Sequence, residues 1–422
     1  MFKEIHFPEG FFSNNRKKLT EKLEEKTVIF ILSSLDMIKN RDTHYRFRQD
    51  SNYFYLTGLE LKRSVLAVYK YNGKVYETLF RKVLDPTLEK WVGRNVSVED
   101  IKRTSGISDI RDINDLDDYL SNVFSGIGIE KVLMYNETST DLLVPTYTQV
   151  FASKLRMRFA FITIKAVNPI LDEIRKIKSE CEIAMIKRAI EITTKGLEDL
   201  IHSLYPGISE NECEGILIKN YIKYGSVQPA FQTIAASGAN ATVLHYEDND
   251  QVTGKNDLIL IDTGSEYKNY ASDITRTYPV SGKFTSDQKK FYNIVLKASK
   301  EVMKKAKPGV TLAQLQDVTK EVLFKGLFDM KMVKEKSDLT KYYYHGVSHF
   351  LGLDTHDVGS YQTPLEKNCV ITVEPGLYIA EKKIGIRLEN DVLITDKGCR
   401  NLSESIPIEA DEIEDIMNRK KR

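Results

Sequence analysis

Two aspartates, Asp262 and Asp273, stand on either side of a loop in the stretch Asp257-Leu-Ile-Leu-Ile-Asp-Thr-Gly-Ser-Glu-Tyr-Lys-Asn-Tyr-Ala-Ser-Asp-Ile-Thr-Arg-Thr277. The apolar run from Leu258 to Ile261 reads as a buried strand. Gly264, Ser265 and Asn269 mark a loop, and Tyr270 to Thr277 reads as the returning strand. A hairpin folded about its midpoint sets Asp262 opposite Asp273. Directly opposed residues on one face hold their Cβ atoms about 4.5–5.5 Å apart, where like charges are destabilising. Burial makes the repulsion worse. A cation between the two carboxylates removes it, so this spacing points to metal chemistry. The alternatives are a slipped register, or neutralisation of one aspartate by Arg276.

A second set of polar residues lies downstream. Glu374 ends the apolar strand Val370-Ile-Thr-Val373 and is followed by Pro375-Gly376. From Ile384 to Ile394 the pattern has a period of two. Ile384, Ile386, Leu388 and Val392 face one way, and Arg387, Glu389 and Asp391 the other. Upstream stand His345-Gly-Val-Ser-His349-Phe-Leu-Gly352 and Asp354-Thr-His356, while His245 precedes the first hairpin. Four of the seven histidines therefore lie in this region. Singly, each residue has a plain reading as a satisfied histidine, a solvated strand acid or a turn. Jointly, four carboxylates and one imidazole suit two hard divalent ions. An oxygen-rich set fits Mn²⁺, and metal pairs about 3.5–4 Å apart generate a hydroxide nucleophile in aminopeptidases.

The elements that must position these residues come in two copies. Leu204-Tyr-Pro-Gly-Ile-Ser209 is echoed by Ala306-Lys-Pro-Gly-Val-Thr311, an offset of 102 residues (306 − 204). A long amphipathic helix precedes each Pro-Gly. Ile183, Ile186, Ile190, Leu197, Leu200 and Ile201 stripe the first, and Phe291, Ile294, Val295, Ala298 and Val302 the second. Ser179 with Glu182, and Thr285 with Gln288, form capping boxes that open them. Ser209 and Thr311 are placed as N-caps of the next helices. Each copy then runs into a hairpin, the second from Cys369 to Glu374 and from Ile384 to Thr395. Two helix–helix–hairpin halves imply pseudo-two-fold symmetry around a central cleft.

Residues before about 165 read as an α/β domain. Val28 to Leu32, Val65 to Tyr69, Tyr76 to Phe80 and Lys131 to Tyr135 are its strands, with helical patterns around Leu19 and from Ile113 to Val123. Two phrases stand out: Arg46-Phe-Arg-Gln-Asp-Ser-Asn-Tyr-Phe-Tyr-Leu-Thr-Gly58, whose clustered aromatics suit a core, and Lys90-Trp-Val-Gly-Arg94, which holds the only tryptophan. Lys165-Ala-Val-Asn-Pro169 reads as a linker, since a residue before proline disfavours helix. The chain of 422 residues has a net charge of +1, so no global field steers it to nucleic acid or membrane. No apolar run approaches the ~18 residues of a membrane span, and no signal peptide is evident. Arg419-Lys-Lys-Arg422 reads as a short solvated tail. The scattered Cys181, Cys213, Cys369 and Cys399 suit reduced thiols in the cytoplasm.

Asp262 and Asp273 in their Ser-Asp-Ile-Thr-Arg setting, His345-Gly-x-Ser-His349-x-x-Gly352, Glu374-Pro-Gly and Arg387-x-Glu389 resemble the metallopeptidase family with the pita-bread fold. Phe47-Arg-Gln-Asp-Ser and Trp91-Val-Gly-Arg94 extend the resemblance into the first half, toward its aminopeptidase P branch. The resemblance implies an α/β domain over 1–170, creatinase N-terminal-like, for oligomerisation and cleft closure. A pseudo-two-fold pita-bread α+β catalytic domain would follow over 171–422. It implies a metallo-aminopeptidase that releases the first residue from peptides with proline second, through a hydroxide bridging two divalent ions, Mn²⁺ first and Co²⁺ or Zn²⁺ as alternatives. Asp262 would hold one metal, Asp273 and Glu389 would bridge both, and His349 and Glu374 would complete the other. Glu374 would accept the proton of the attacking water. His245 and His356 would contact substrate and stabilise the tetrahedral intermediate, His345 would line the proline-side pocket, and Arg387 would orient nearby acids. Tyr378 would bind substrate, and Trp91 of a neighbouring subunit would close the cleft of a homodimer or homotetramer. Ser348 and Thr355 receive no role.

Other functions are separable. A prolidase of the same fold would cleave only Xaa-Pro dipeptides, which a tripeptide assay distinguishes. Creatinase shares the architecture without the metal ligands. A non-catalytic pita-bread module for binding peptides would lack the five ligands present here.

Overall fold

The computed structural model describes residues 2–93, 95–137 and 144–419, so Arg94 of the tryptophan phrase and residues 420–422 of the basic tail lie outside it. The chain divides into two compact units, Phe7–Arg175 and the residues from Lys176 on, with the first six residues joined to the second unit.

In the first unit a six-stranded mixed sheet runs in the order Asp109–Asp112, Lys74–Arg81, Val65–Tyr71, Thr27–Leu32, Lys131–Met134, Thr163–Ala166. Thr27–Leu32 is buried along its whole length, as its unbroken apolar run requires. Val28, Phe30, Val65, Ala67, Phe80 and Val132 make the core on one face. The phrase from Arg46 to Gly58 is structural. Asp50 caps the helix Ser51–Thr57 by accepting from the Tyr53 N–H, and Tyr53, Phe54, Tyr55 and Leu56 are buried. Gln49 is buried and donates to the carbonyls of Leu59 and Leu61. The linker expected at 165–169 is absent: Lys165 and Ala166 finish a strand, and Asn168–Lys176 is a helix. Pro169 fits its first turn, where the missing N–H has no intrahelical partner to lose.

In the second unit the repeated order of elements is explicit. Glu180–Ser203 and Glu210–Tyr224 form the first helix pair, Ser286–Lys305 and Leu312–Asp329 the second. Capping boxes at Ser179/Glu182 and Thr285/Gln288 are formed, and Ser209 and Thr311 cap as expected. Each helix buries its apolar stripe, with Ile294 alone half-exposed.

The hairpins depart from the simplest reading. Leu258–Thr263 pairs antiparallel with Ile274–Pro279, but Asp262 stands opposite Thr275, not Asp273. The cause lies in the loop, where Glu266–Tyr267 and Tyr270–Ala271 make a small ladder of their own. Gly264 lets the chain close there: a Cβ at this position would lie 1.7 Å from the Ser272 carbonyl oxygen. Asp273 therefore falls between two ladders. The second hairpin is interrupted twice. Val370–Val373 pairs with Asn390–Ile394, and Gly376–Ile379 with Ile384–Arg387. The strand expected over Ile384–Ile394 breaks at Leu388-Glu389, opposite the break at Glu374-Pro375. Both of its faces are buried, so Arg387, Glu389 and Asp391 point into the protein rather than to water. Among the described residues, no helix is long and apolar enough to cross a membrane.

Candidate metal centre

The breaks in the two hairpins bring their acids together. One oxygen or nitrogen each from Asp273, His349 and Glu389 lie within 4.8 Å of one another. His349 Nε2 is 3.3 Å from Asp273 Oδ2 and 3.4 Å from Glu374 Oε1. The His349 Nδ1 faces the Phe350 carbonyl at 3.0 Å. A carbonyl only accepts, so Nδ1 keeps its proton there, and Nε2 is the ring nitrogen that faces the acids, donating to them in the metal-free chain and free to ligate once that proton leaves. Asp262 joins from the first hairpin: its Oδ2 accepts from Arg387 Nη2 at 2.6 Å, while its buried Oδ1 has no hydrogen-bond partner among the described residues.

The electrostatics are unfavourable without a cation. Burial, and then repulsion from neighbouring acids, pushes Asp273 up to about 7 against the pull of His349. Burial also raises Glu374, and Glu389 is raised far above the carboxylate range by burial and then by Asp273. His349 rises to about 9 despite burial, because Asp273 and Glu374 face it. Crowded buried carboxylates, an unpartnered oxygen and a ring nitrogen whose proton a cation can replace are what a hard divalent ion would satisfy. The residues present therefore fit a metal group.

Threonines hold these acids in place. Thr275 Oγ1 donates to Glu389 Oε2 at 2.6 Å, joining the first hairpin to the second, and Thr372 Oγ1 donates to Glu374 Oε1 at 3.1 Å. Asp391 Oδ2 accepts from the Asp273 N–H at 3.1 Å. Arg276 neutralises neither aspartate of its hairpin. It is fully buried and donates to the carbonyls of Thr275, Glu389, Ile406 and Pro407 and to Asn390 Oδ1. Sequence reasoning gave none of these four a positioning role. A signal existed for two of them: Thr372 precedes Glu374 by two, and Asp391 follows Glu389 by two, so each shares the acid's side of its strand. Ser348, beside His349, donates to the Thr372 carbonyl and serves structure.

Arg387, Tyr378 and His345 form a directed relay. Arg387 Nη1 donates to Tyr378 Oη at 3.0 Å, and Tyr378 Oη lies 2.9 Å from His345 Nε2. His345 Nδ1 faces the Gly346 carbonyl at 2.8 Å and must donate there, so Nε2 accepts the tyrosine proton. Burial, then the Arg387 charge, lowers His345 to about 3, which keeps it neutral. The His356 ring meets the His349 ring edge-on with centroids 4.5 Å apart. His245 lies on an exposed loop and is near enough to His345 and His356 for their charges to interact. Of the expected site residues only Trp91 belongs to the first unit, where it stands 83% exposed on the helix Pro86–Val92.

Comparison with known proteins is consistent across the chain. Residues 184–396 match Metallopeptidase family M24, and residues 12–132 match the aminopeptidase P N-terminal domain. The Xaa-Pro aminopeptidase of Haemophilus influenzae is 33% identical over 97% of this chain and 98% of its own length. That of Escherichia coli is 32% identical over 96% and 97%. Among solved structures, a candidate aminopeptidase P from Bacillus anthracis superposes with a TM-score of 0.96 at 39% identity, covering 98% of this chain and 99% of its own. Aminopeptidase P from Escherichia coli, solved with the inhibitor Pro-Leu, superposes at 0.90 with 30% identity, covering 99% and 100%.

Proposed function

The chain belongs to Metallopeptidase family M24 and is a metal-dependent exopeptidase, and from that premise we propose that it removes the first residue from peptides with proline in second place. The metal-dependent chemistry is carried by the convergence of Asp273, His349 and Glu389 within 4.8 Å beside Asp262 and Glu374, and the preference for proline is supported by the likeness to the two Xaa-Pro aminopeptidases. In this reading Asp262, Asp273, His349, Glu374 and Glu389 would together hold a pair of ions, with Asp273 contributed by the first hairpin and Glu389 by the second. The oxygen-rich donor set favours Mn²⁺ over Co²⁺ or Zn²⁺. Bound there, a pair of divalent cations supplies Lewis acidity, which polarises the scissile carbonyl and makes water acidic enough to attack near neutral pH.

The chain's own residues do the rest. Glu374 takes the proton of the attacking water, and its Oε1 is aimed by Thr372. His349 is kept in the ligand tautomer by Phe350. His245 and His356 donate to the oxyanion that develops on the peptide carbonyl. His345, held neutral on Tyr378, lines the pocket for the proline ring, and Tyr378 joins it there. Arg387 orients Asp262. The first unit serves oligomerisation and cleft closure in a homodimer or homotetramer, with Trp91 of a neighbouring subunit over the cleft. Its exposure in the single chain supports that role. Four free cysteines support a cytoplasmic location.

The test is a panel of three substrates with added Mn²⁺. Release of the first residue from Xaa-Pro-Yaa, with little turnover of Xaa-Ala-Yaa, is the expected result. Equal turnover of the two sinks the proline assignment, and cleavage of Xaa-Pro dipeptides alone makes the protein a dipeptidase.

A further inference from the structure

Glu210 opens the helix Glu210–Tyr224 and is completely buried, yet no cation is paired with it among the described residues. A buried carboxylate of that kind must be satisfied by hydrogen bonds. Its Oε1 accepts from the Ser237 N–H at 2.7 Å, the Ser237 hydroxyl at 2.7 Å and Asn240 Nδ2 at 3.1 Å. Its Oε2 accepts from the Tyr246 hydroxyl at 2.8 Å and the Gln251 N–H at 3.0 Å. The Glu210 N–H in turn donates to the Gln251 carbonyl at 2.9 Å. Every one of these partners lies in the loop from Ser237 to Gln251, and that loop carries His245.

The carboxylate grips the loop at both ends and at the residue beside the histidine. The rest of the loop is pinned from the other side. Tyr344 donates to the Thr242 carbonyl at 2.7 Å, and Gly385 is bare where a Cβ would lie 1.8 Å from the Ala241 oxygen. His245 itself is exposed, and among the described residues it has no hydrogen-bond or ring partner. Its place near His345 and His356 therefore depends on how its backbone is held.

We infer that Glu210 is a positioning residue for His245, acting through Tyr246 and the ends of the loop rather than by touching substrate. The inference rests on the reading that His245 meets the substrate. In Glu210→Gln, Oε1 still serves Ser237 and Asn240, and the Tyr246 hydroxyl can turn toward Asp250, which lies 3.2 Å away. The Gln251 N–H, however, then faces an amide N–H and loses its acceptor.

The test is a double-mutant cycle of E210Q with H245A on an Xaa-Pro-Yaa tripeptide in Mn²⁺, with metal content and amide hydrogen exchange measured on each protein. E210Q is expected to lower kcat by roughly 10- to 100-fold, the scale of a displaced catalytic group, at normal metal content. Exchange should quicken over 237–251 and stay unchanged in the two metal hairpins. In the H245A background the same change should cost less than about twofold, since coupled sites are not additive. Equal costs in both backgrounds, or unchanged exchange in the loop, overturn the inference. Full activity in H245A would instead overturn the reading of His245, while the exchange result still decides whether Glu210 holds the loop. Should E210Q fail to fold, Tyr246→Phe removes one donor only, and the same cycle applies with a smaller expected loss.

Discussion

The first hairpin keeps its ladder intact through Asp262 and interrupts it beside Asp273, whereas the second is interrupted at both Glu374 and Glu389. A regular ladder sends successive side chains to opposite faces and fixes what each one opposes. It can present one acid to a point in space, as it does with Asp262. It cannot bring acids from several strands to that point, and the breaks supply the extra directions. The hairpins also differ in support. Glu374 is steadied by Thr372 of its own strand, while Glu389 relies on Thr275 from the other hairpin.

The strongest test of this contrast is to remove one converging acid from each hairpin. Asp273→Asn and Glu389→Gln should each lower the tripeptide rate by about 10³-fold or more, taking the loss of one preorganised electrostatic group as the lower bound. Both should lose metal on dialysis. If either protein retains its full metal content, the two hairpins do not build one site.

Asp262→Asn probes the acid that sits in an unbroken ladder. From opposed aspartates one would expect the metal-free mutant to be no less stable, through relief of repulsion. The structure reverses this, because Asp262 is the charged partner of buried Arg387. Melting in chelator should place the mutant below wild type by roughly 1–3 kcal/mol, the cost of weakening a buried charged hydrogen bond. Wild type should gain about 2.7 kcal/mol from Mn²⁺ at 100 times Kd, and the mutant clearly less. A chelated mutant as stable as wild type would show that repulsion outweighs the Arg387 pair.

Thr275→Val and Thr372→Val compare cross-hairpin with same-strand support. Each should weaken Mn²⁺ binding by about 10- to 100-fold, the range for groups that orient metal ligands. Thr275→Val should be the worse, because Thr275 Oγ1 also accepts from the charged Arg387 Nε at 3.2 Å, whereas the second donor to Thr372 Oγ1 is the neutral His349 N–H at 3.1 Å. Titration calorimetry ranks them, and the opposite order would mean that the second hairpin is self-sufficient.

The smallest expected effect is on pH dependence. Burial holds Asp273 near 7, so the folded, metal-free chain retains a proton that the unfolded chain has already released. Stability from that proton is present below the ordinary carboxylate range and is lost as pH rises through about 7. His349, raised to about 9, acts in the same sense. Cations replace these protons in the loaded protein. The gap in Tm between loaded and chelated protein should therefore widen by a few degrees between about pH 5 and pH 8. A constant gap would deny that the acids are strained when bare.

Much of this was legible from residues alone. Capping boxes at Ser179/Glu182 and Thr285/Gln288, and buried stripes such as Ile183 to Ile201, are local features, and they formed as the spacing required. The register of the first hairpin was not legible, because it depends on a two-rung ladder inside the loop and on a bare Gly264. The break at Leu388-Glu389 was hidden for the same kind of reason. Alternation continues across it, and only a partner strand reveals that pairing changes hands. Lys165 to Pro169 misled because proline at the start of a helix resembles proline in a linker. The roles of Thr275 and Arg276 required knowing which strand lies alongside.

The buried guanidinium of Arg276 has a consequence for biosynthesis. It ties the Glu389 carbonyl to those of Ile406 and Pro407. Glu389, the last of the proposed ligands in the sequence, is thus clasped by residues made later still. The first unit can fold as it leaves the ribosome, whereas this clasp cannot form until Pro407 has been made, and if metal retention depends on it the nascent chain would be inert until then. An arrested chain exposed through Asn401 should not retain Mn²⁺, and one exposed through Glu409 should; retention by the shorter chain would show that the clasp is dispensable.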